Sequence, residues 1–92
     1  MAIGVYFNPP SMNEEQYRAI RRLEEERGAG SPRGRLYHVC FGKDSNLQVF
    51  DVWDSQESFD AFGQVLVPLL SEIGLDPGTP MIEPVVNTIS GS

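Results

Sequence analysis

The sequence predicts an α+β domain in which four antiparallel strands form one sheet and two helices cover one of its faces, in the order βαββαβ. Three observations carry that expectation. Phe59, Phe62, Leu66, Leu69 and Ile73 recur at 3-4-3-4 spacing, which is the period of a helix. The stretch LYHVCFGKDSNLQVFDVWD reads as two apolar strands about a polar turn. Short apolar runs near each end of the chain supply the two remaining strands.

The first strand covers about residues 2–7 and stops at Asn8-Pro9-Pro10, since two prolines cannot continue a ladder. Ser11 with Glu14, or Asn13 with Gln16, offers a capping box for a helix over about residues 12–27. Its apolar stripe is thin: Tyr17, Ile20 and Leu23. Its arginines Arg18, Arg21, Arg22 and Arg27 interleave with Glu24, Glu25 and Glu26, as on a solvated face. GAGSPRG breaks this helix, with Gly28 placed as its C′ residue.

The central hairpin follows, with strands at about 35–42 and 47–53. A two-residue turn centred on Asp44-Ser45 sets Lys43 against Asn46. That register puts His38 opposite Asp51, Leu36 opposite Trp53 and Cys40 opposite Val49. Asp54-Ser55-Gln56-Glu57 starts the second helix, with an acid three residues after the cap. Pro68 is expected to kink or divide that helix. GLDPGTP leads to a last strand over about residues 81–89. Residues 1–90 are read as one domain and residues 91–92 as an appended tail.

A chain of 92 residues has a modest core, burying about 60–65% of the surface its unfolded form exposes. The net charge of −6 argues against nucleic acid or an anionic membrane as a general partner. No apolar run approaches the roughly 20 residues that span a bilayer. MAIGVYF lacks the basic start of a signal peptide, and the single Cys40 fits a reducing compartment, so a cytoplasmic location is expected. The chain holds no zinc-ligand spacing and no phosphate-cradling loop, and no metal or cofactor is expected.

The ferredoxin-like order leaves one sheet face without helices. If Ile3, Val5, Phe7, Phe50 and Val52 face the helices, parity puts Tyr6, Leu36, Cys40, Val49, Trp53, Ile82 and Val86 on the other face. An apolar face of that extent calls for a second protein layer, most simply another copy of the same sheet in a two-fold homodimer.

The run VFDVWDSQESFDAF, residues 49–62, joins an apolar strand, a Trp, an acid-Ser pair and a helix carrying Glu and Phe. In this, and in its element order over about residues 2–89, the chain resembles the dimeric α/β-barrel proteins, the superfamily of antibiotic biosynthesis monooxygenases and their small relatives. The resemblance implies a homodimer whose sheets enclose a barrel, with a pocket between each sheet and its own helices or at the barrel mouth. It covers quinone-forming monooxygenases, haem-degrading enzymes and aromatic cyclases. Of the haem-degrading pattern, Asn8 and Trp53 match, but the ligand position falls near Gly63 and the second helix holds no His. Haem degradation is therefore not implied, while haem binding through His38 stays open. Small relatives often carry His where PVVN has Val86, a departure that fits a small natural member or a redesigned one alike.

The expected site grows from the hairpin. His38 and Asp51 each lie within an apolar strand, where an unpaired polar group costs several kcal/mol, and each supplies the other's partner. They are either a satisfied contact that fixes register or an acid/base pair in which Asp51 orients the imidazole. Tyr6, Asn8, Trp53, Cys40 and Val86 are expected to line the adjoining substrate pocket, Trp53 as an aromatic wall or as plain core, and Cys40 as a small apolar group. Three functions follow. The first is a cofactor-free enzyme that moves a proton, cyclises or oxygenates a hydrophobic aromatic compound. The second is a non-catalytic dimer that binds a small ligand or haem. The third is a purely structural dimeric domain.

Overall fold

A computed structural model describes residues 1–91; residue 92, and with it half of the expected tail, lies outside the described residues. The elements are β1 (Ile3–Phe7), α1 (Glu14–Glu26), β2 (Arg35–Phe41), β3 (Gln48–Trp53), α2 (Gln56–Glu72) and β4 (Met81–Pro84). The strands pair antiparallel in the order β2-β3-β1-β4. This is the expected α+β, ferredoxin-like βαββαβ arrangement.

Local chemistry sets the element ends. Asn13 caps α1: its side chain accepts from the Gln16 amide at 2.8 Å, and Gln16 reaches back to the Asn13 amide at 2.9 Å. Ser55 caps α2 by accepting from the Ser58 amide, so the residue three beyond the cap is a serine and the reciprocal acid is missing. The hairpin turn closes as its sequence requires, with the Asn46 amide donating to the Lys43 carbonyl and Asp44 at φ 57. Pro68 does not divide α2. It stands on the solvent side, where water can satisfy the freed Gln64 carbonyl, while the following Leu69 and Leu70 are buried and hold the last turn on the core.

The sheet corrects the expected faces. Register with β1 places Val49, Asp51 and Trp53 beside Phe7, Val5 and Ile3, on the side that α2 covers. Cys40 and His38 share that side through β2, and Ile82 through β4. Phe50 and Val52, expected beneath the helices, lie on the outer face with Tyr6 and Met81. The reason is that β3 is apolar at both parities, so only pairing with β1 decides its phase. The outer face remains apolar with a different membership: Tyr37, Phe41 and Met81 are all exposed there.

Two further differences matter. In β2, Arg35 pairs with Trp53 while Tyr37 pairs with Val52, so Leu36 is bulged out and 64% exposed instead of opposing Trp53. The last strand ends at Pro84, and Val86 lies beyond it almost fully exposed. Proline cannot donate to the ladder, which favours an end at that point.

The core has two parts. Met12, Ile20, Leu47, Leu69, Leu70 and Leu75 form one; Ile3, Val5, Trp53 and Phe62 form the other, and Leu66 packs against both. Trp53 is fully buried, with Phe59 edge-on at 5.7 Å and Phe62 at 5.3 Å. Among the described residues no helix is long and apolar enough to cross a membrane.

Candidate functional site

His38 stands on β2 directly across from Asp51 on β3. Its Nδ1 lies 2.6 Å from Asp51 Oδ1. Asp51 is 4% exposed, and its other neighbour across the sheet is the fully buried Val5, so the imidazole is its side-chain partner among the described residues. A carboxylate buried this deeply is tolerable only when hydrogen-bonded.

The second ring nitrogen is also engaged. Tyr17, projecting from α1, brings its hydroxyl to 2.7 Å from His38 Nε2, and the two rings lie nearly parallel at 8°. The directions follow from the donors available. The carboxylate can only accept, so Nδ1 carries a hydrogen and donates; when the ring is neutral, Nε2 holds a lone pair and accepts from the Tyr17 hydroxyl. Tyr17, His38 and Asp51 thus form a continuous relay from helix to sheet. Burial pushes the Tyr17 phenol above its ordinary pKa, with Cys40 adding to the shift and Arg21 opposing it. Tyr17 is therefore held as the hydroxyl, and an isolated phenolate there is disfavoured.

A second polar group adjoins the first. Glu24 is 5% exposed and accepts from Arg21 Nη1 at 2.5 Å. Burial raises its carboxyl pKa, against the opposing hydrogen bond and charge of Arg21. Arg21 also reaches Glu25 at 3.2 Å. Arg35 donates to the Gly30 carbonyl at 3.1 Å and lies over the Phe62 ring at 5.9 Å. Tyr17, Arg21, Glu24, Arg35, His38 and Asp51 all border one cavity of about 70 Å³ between the sheet and the helices. The rest of its wall is apolar, with Phe7, Ile20, Val49, Phe62, Leu66 and Leu70 among its members. Convergent polar groups in an otherwise apolar hollow are the usual anatomy of a small-molecule site.

Of the residues singled out in the sequence, His38 and Asp51 meet in this cavity. Cys40 is half-buried on the same side, packs against the nearby core, and has its thiol pKa raised chiefly by burial, which suits an inert group. The others stand apart. Tyr6 is on the outer face, where its hydroxyl bonds Gln48; Asn8 is exposed; Trp53 is core and does not border the cavity; Val86 is in solvent. Among the described residues, no three His, Cys, Asp or Glu side chains gather as a metal site would require.

The sequence pattern does not mark Tyr17, Arg21, Glu24 or Arg35 as site residues. Positions 17, 20, 21 and 24 share one face of a helix, so the buried Ile20 was the available sign that Glu24 and Arg21 turn inward with Tyr17. No such sign exists for Arg35, which reaches the cavity only through the bulge.

The sequence matches no protein-family model and no curated protein. Solved structures do share its fold. A protein from Chloroflexus aurantiacus, provisionally named an antibiotic biosynthesis monooxygenase, superposes with a TM-score of 0.69 at 20% identity over 98% of both chains. A Nitrosomonas europaea protein of unknown function, NE2512, gives 0.67 at 13% identity over 99% of this chain and 95% of its own. SnoaB, a cofactor-independent oxygenase from Streptomyces nogalater, gives 0.64 at 12% identity over 98% and 96%. At these identities the likeness is one of fold.

Proposed function

We propose that this protein is a cofactor-free enzyme that removes a proton from a hydrophobic aromatic substrate bound in the cavity between sheet and helices. The observation that carries the reading is the Tyr17–His38–Asp51 relay on the cavity wall. As the substrate gives its proton to the Tyr17 oxygen, Tyr17 passes its own hydrogen to His38 Nε2. The products are a substrate anion, an unchanged tyrosine and an imidazolium facing Asp51. No free phenolate forms, which accords with the burial of Tyr17. The resulting anion is the common starting point for isomerisation, cyclisation or attack on dioxygen. SnoaB, a fold neighbour, is a cofactor-independent oxygenase, which supports this class of chemistry.

The experiment is proton–deuterium exchange at the acidic α-carbon of a panel of aryl ketones in heavy water, followed by NMR. The enzyme is expected to accelerate exchange for at least one member, and His38→Gln to abolish the acceleration. No acceleration across the panel, or equal acceleration by the variant, refutes the reading.

One observation favours a second reading, a purely structural domain. The cavity is about half the roughly 150 Å³ in which an apolar cavity takes up benzene, so the wall must part to admit a ring. On that reading the relay is a satisfied buried network. A haem-binding role is less supported, because both ring nitrogens of His38 are engaged. In either case we propose a homodimer formed through the outer sheet face, supported by the exposure of Tyr37, Phe41 and Met81 on that face.

A further inference from the structure

We infer that Arg35 is the anion-binding residue of the cavity, selecting aromatic substrates that carry, or develop, a negatively charged oxygen. The inference rests on the proposed reading only in taking the cavity as a substrate site.

The backbone is built to put Arg35 there. Residues 35 and 38 differ by an odd number, so in a regular strand they would point to opposite faces. The bulge at Leu36 restores the phase: Arg35 pairs with Trp53 and His38 with Asp51, two residues apart on β3, and both side chains border the cavity. Arg21 is held by Glu24 and Glu25. Arg35, by contrast, has no carboxylate within ion-pair distance among the described residues; its guanidinium donates to one backbone carbonyl and lies over Phe62. A guanidinium carries five N–H donors in a planar fork, so donors remain for a planar oxyanion.

The charges of the cavity support the same occupant. Arg21 is paired with Glu24 and Glu25, and Asp51 with His38, which leaves Arg35 as the charged group of the wall without an ion-pair partner among the described residues. A substrate that enters neutral and ionises leaves the total unchanged, because its proton stays on His38. The anionic oxygen then faces Arg35, and the aromatic ring lies against Phe62 and Leu66. Arg35 thereby separates acidic aryl carbonyls and phenols from hydrocarbons of similar shape.

Benzoate and benzamide differ little in shape and differ in charge, and each can be titrated into the isotopically labelled protein with amide shifts as the readout. Benzoate is expected to bind on the order of tenfold more tightly or better, as for one charge-assisted hydrogen bond. Arg35→Met should equalise the two probes. Arg35→Lys, which keeps the charge and loses the fork, should keep part of the preference, and it carries the test if the Met variant does not fold. Failure of proton exchange together with Arg35-dependent benzoate binding would remove the catalytic reading and leave this one standing. The inference is overturned if the preference survives unchanged in Arg35→Met or Arg35→Lys, or if neither probe moves cavity resonances.

Discussion

Replacing Asp51 by asparagine isolates one link of the relay with almost no change of volume. The wild-type contact is a charge-assisted hydrogen bond at 2.6 Å to a residue only 4% exposed. Such bonds contribute about 1.5–3 kcal/mol, and a neutral amide in the same place about 0.5–1.5, so the folded state should lose about 1 kcal/mol. Relief of a buried charge trims that loss. For a domain of this length, 1 kcal/mol lowers Tm by about 4–8 °C, measured at fixed protein concentration because dimerisation would couple to unfolding. The effect on chemistry should be far larger. With its amide nitrogen turned toward Nδ1, the introduced asparagine stabilises the opposite tautomer, in which Nε2 carries the hydrogen and no longer accepts from Tyr17. Proton exchange should fall by about 10²–10⁴, the usual contribution of general acid–base catalysis. Calorimetry, substrate exchange and ring nitrogen shifts, all on one variant, give the three quantities. An exchange rate within a factor of about two of wild type, beside the expected loss of stability, would show that Asp51 only supports the fold and would refute the relay.

Tyr17→Phe keeps the ring against His38 and removes one half-buried hydrogen bond; it should lower stability by about 1 kcal/mol in urea unfolding and abolish catalysed exchange. Glu24→Gln tests the buried acid. Burial raises the folded-state pKa of Glu24 above the 4.5 of an exposed glutamate, so its stabilising protonation is fully present below that value and is lost as pH rises through the folded value. The stability of wild type relative to Glu24→Gln should therefore decline as pH rises from about 4 through the folded-state value. A rise over that range would show that the Arg21 bond outweighs burial. Tyr37→Lys together with Met81→Lys should reduce the mass seen by light scattering from two chains to one, with the circular dichroism of the fold retained.

What the sequence discloses follows from which signals are local. The 3-4-3-4 apolar spacing of α2, the Asp44-Ser45 turn and the Asn13–Gln16 box are set by neighbours in the chain, and each appears where it was read. The pairing of His38 with Asp51 belongs to the same group, since a tight turn determines register. The face those residues occupy depends on β1, which is distant in sequence, and VFDVW offers apolar residues to either side. Arg21 and Glu24 are masked by the charge density of α1: five glutamates and four arginines between residues 14 and 27 read as solvated, although the face that carries Tyr17 and Ile20 turns both of them inward. The bulge leaves no compositional trace, because Arg-Leu-Tyr fits a regular strand equally well. The candidate site was therefore half legible: its hairpin members could be read, and its helix members and its arginine could not.

The two core clusters have a mechanical consequence. The cavity is bordered by Met12, Ile20, Leu70 and Leu75 from one cluster and by Phe62 from the other, with Leu66 touching both. It therefore opens along a seam between two well-packed bodies instead of inside either. Helix α2 contributes Phe62 to one cluster and Leu69 and Leu70 to the other, so the hollow is bounded by one helix that both clusters share. If a ring is taken up there, that helix must shift against the sheet, and the amides that report the motion by hydrogen exchange should lie on the helices while the sheet stays closed.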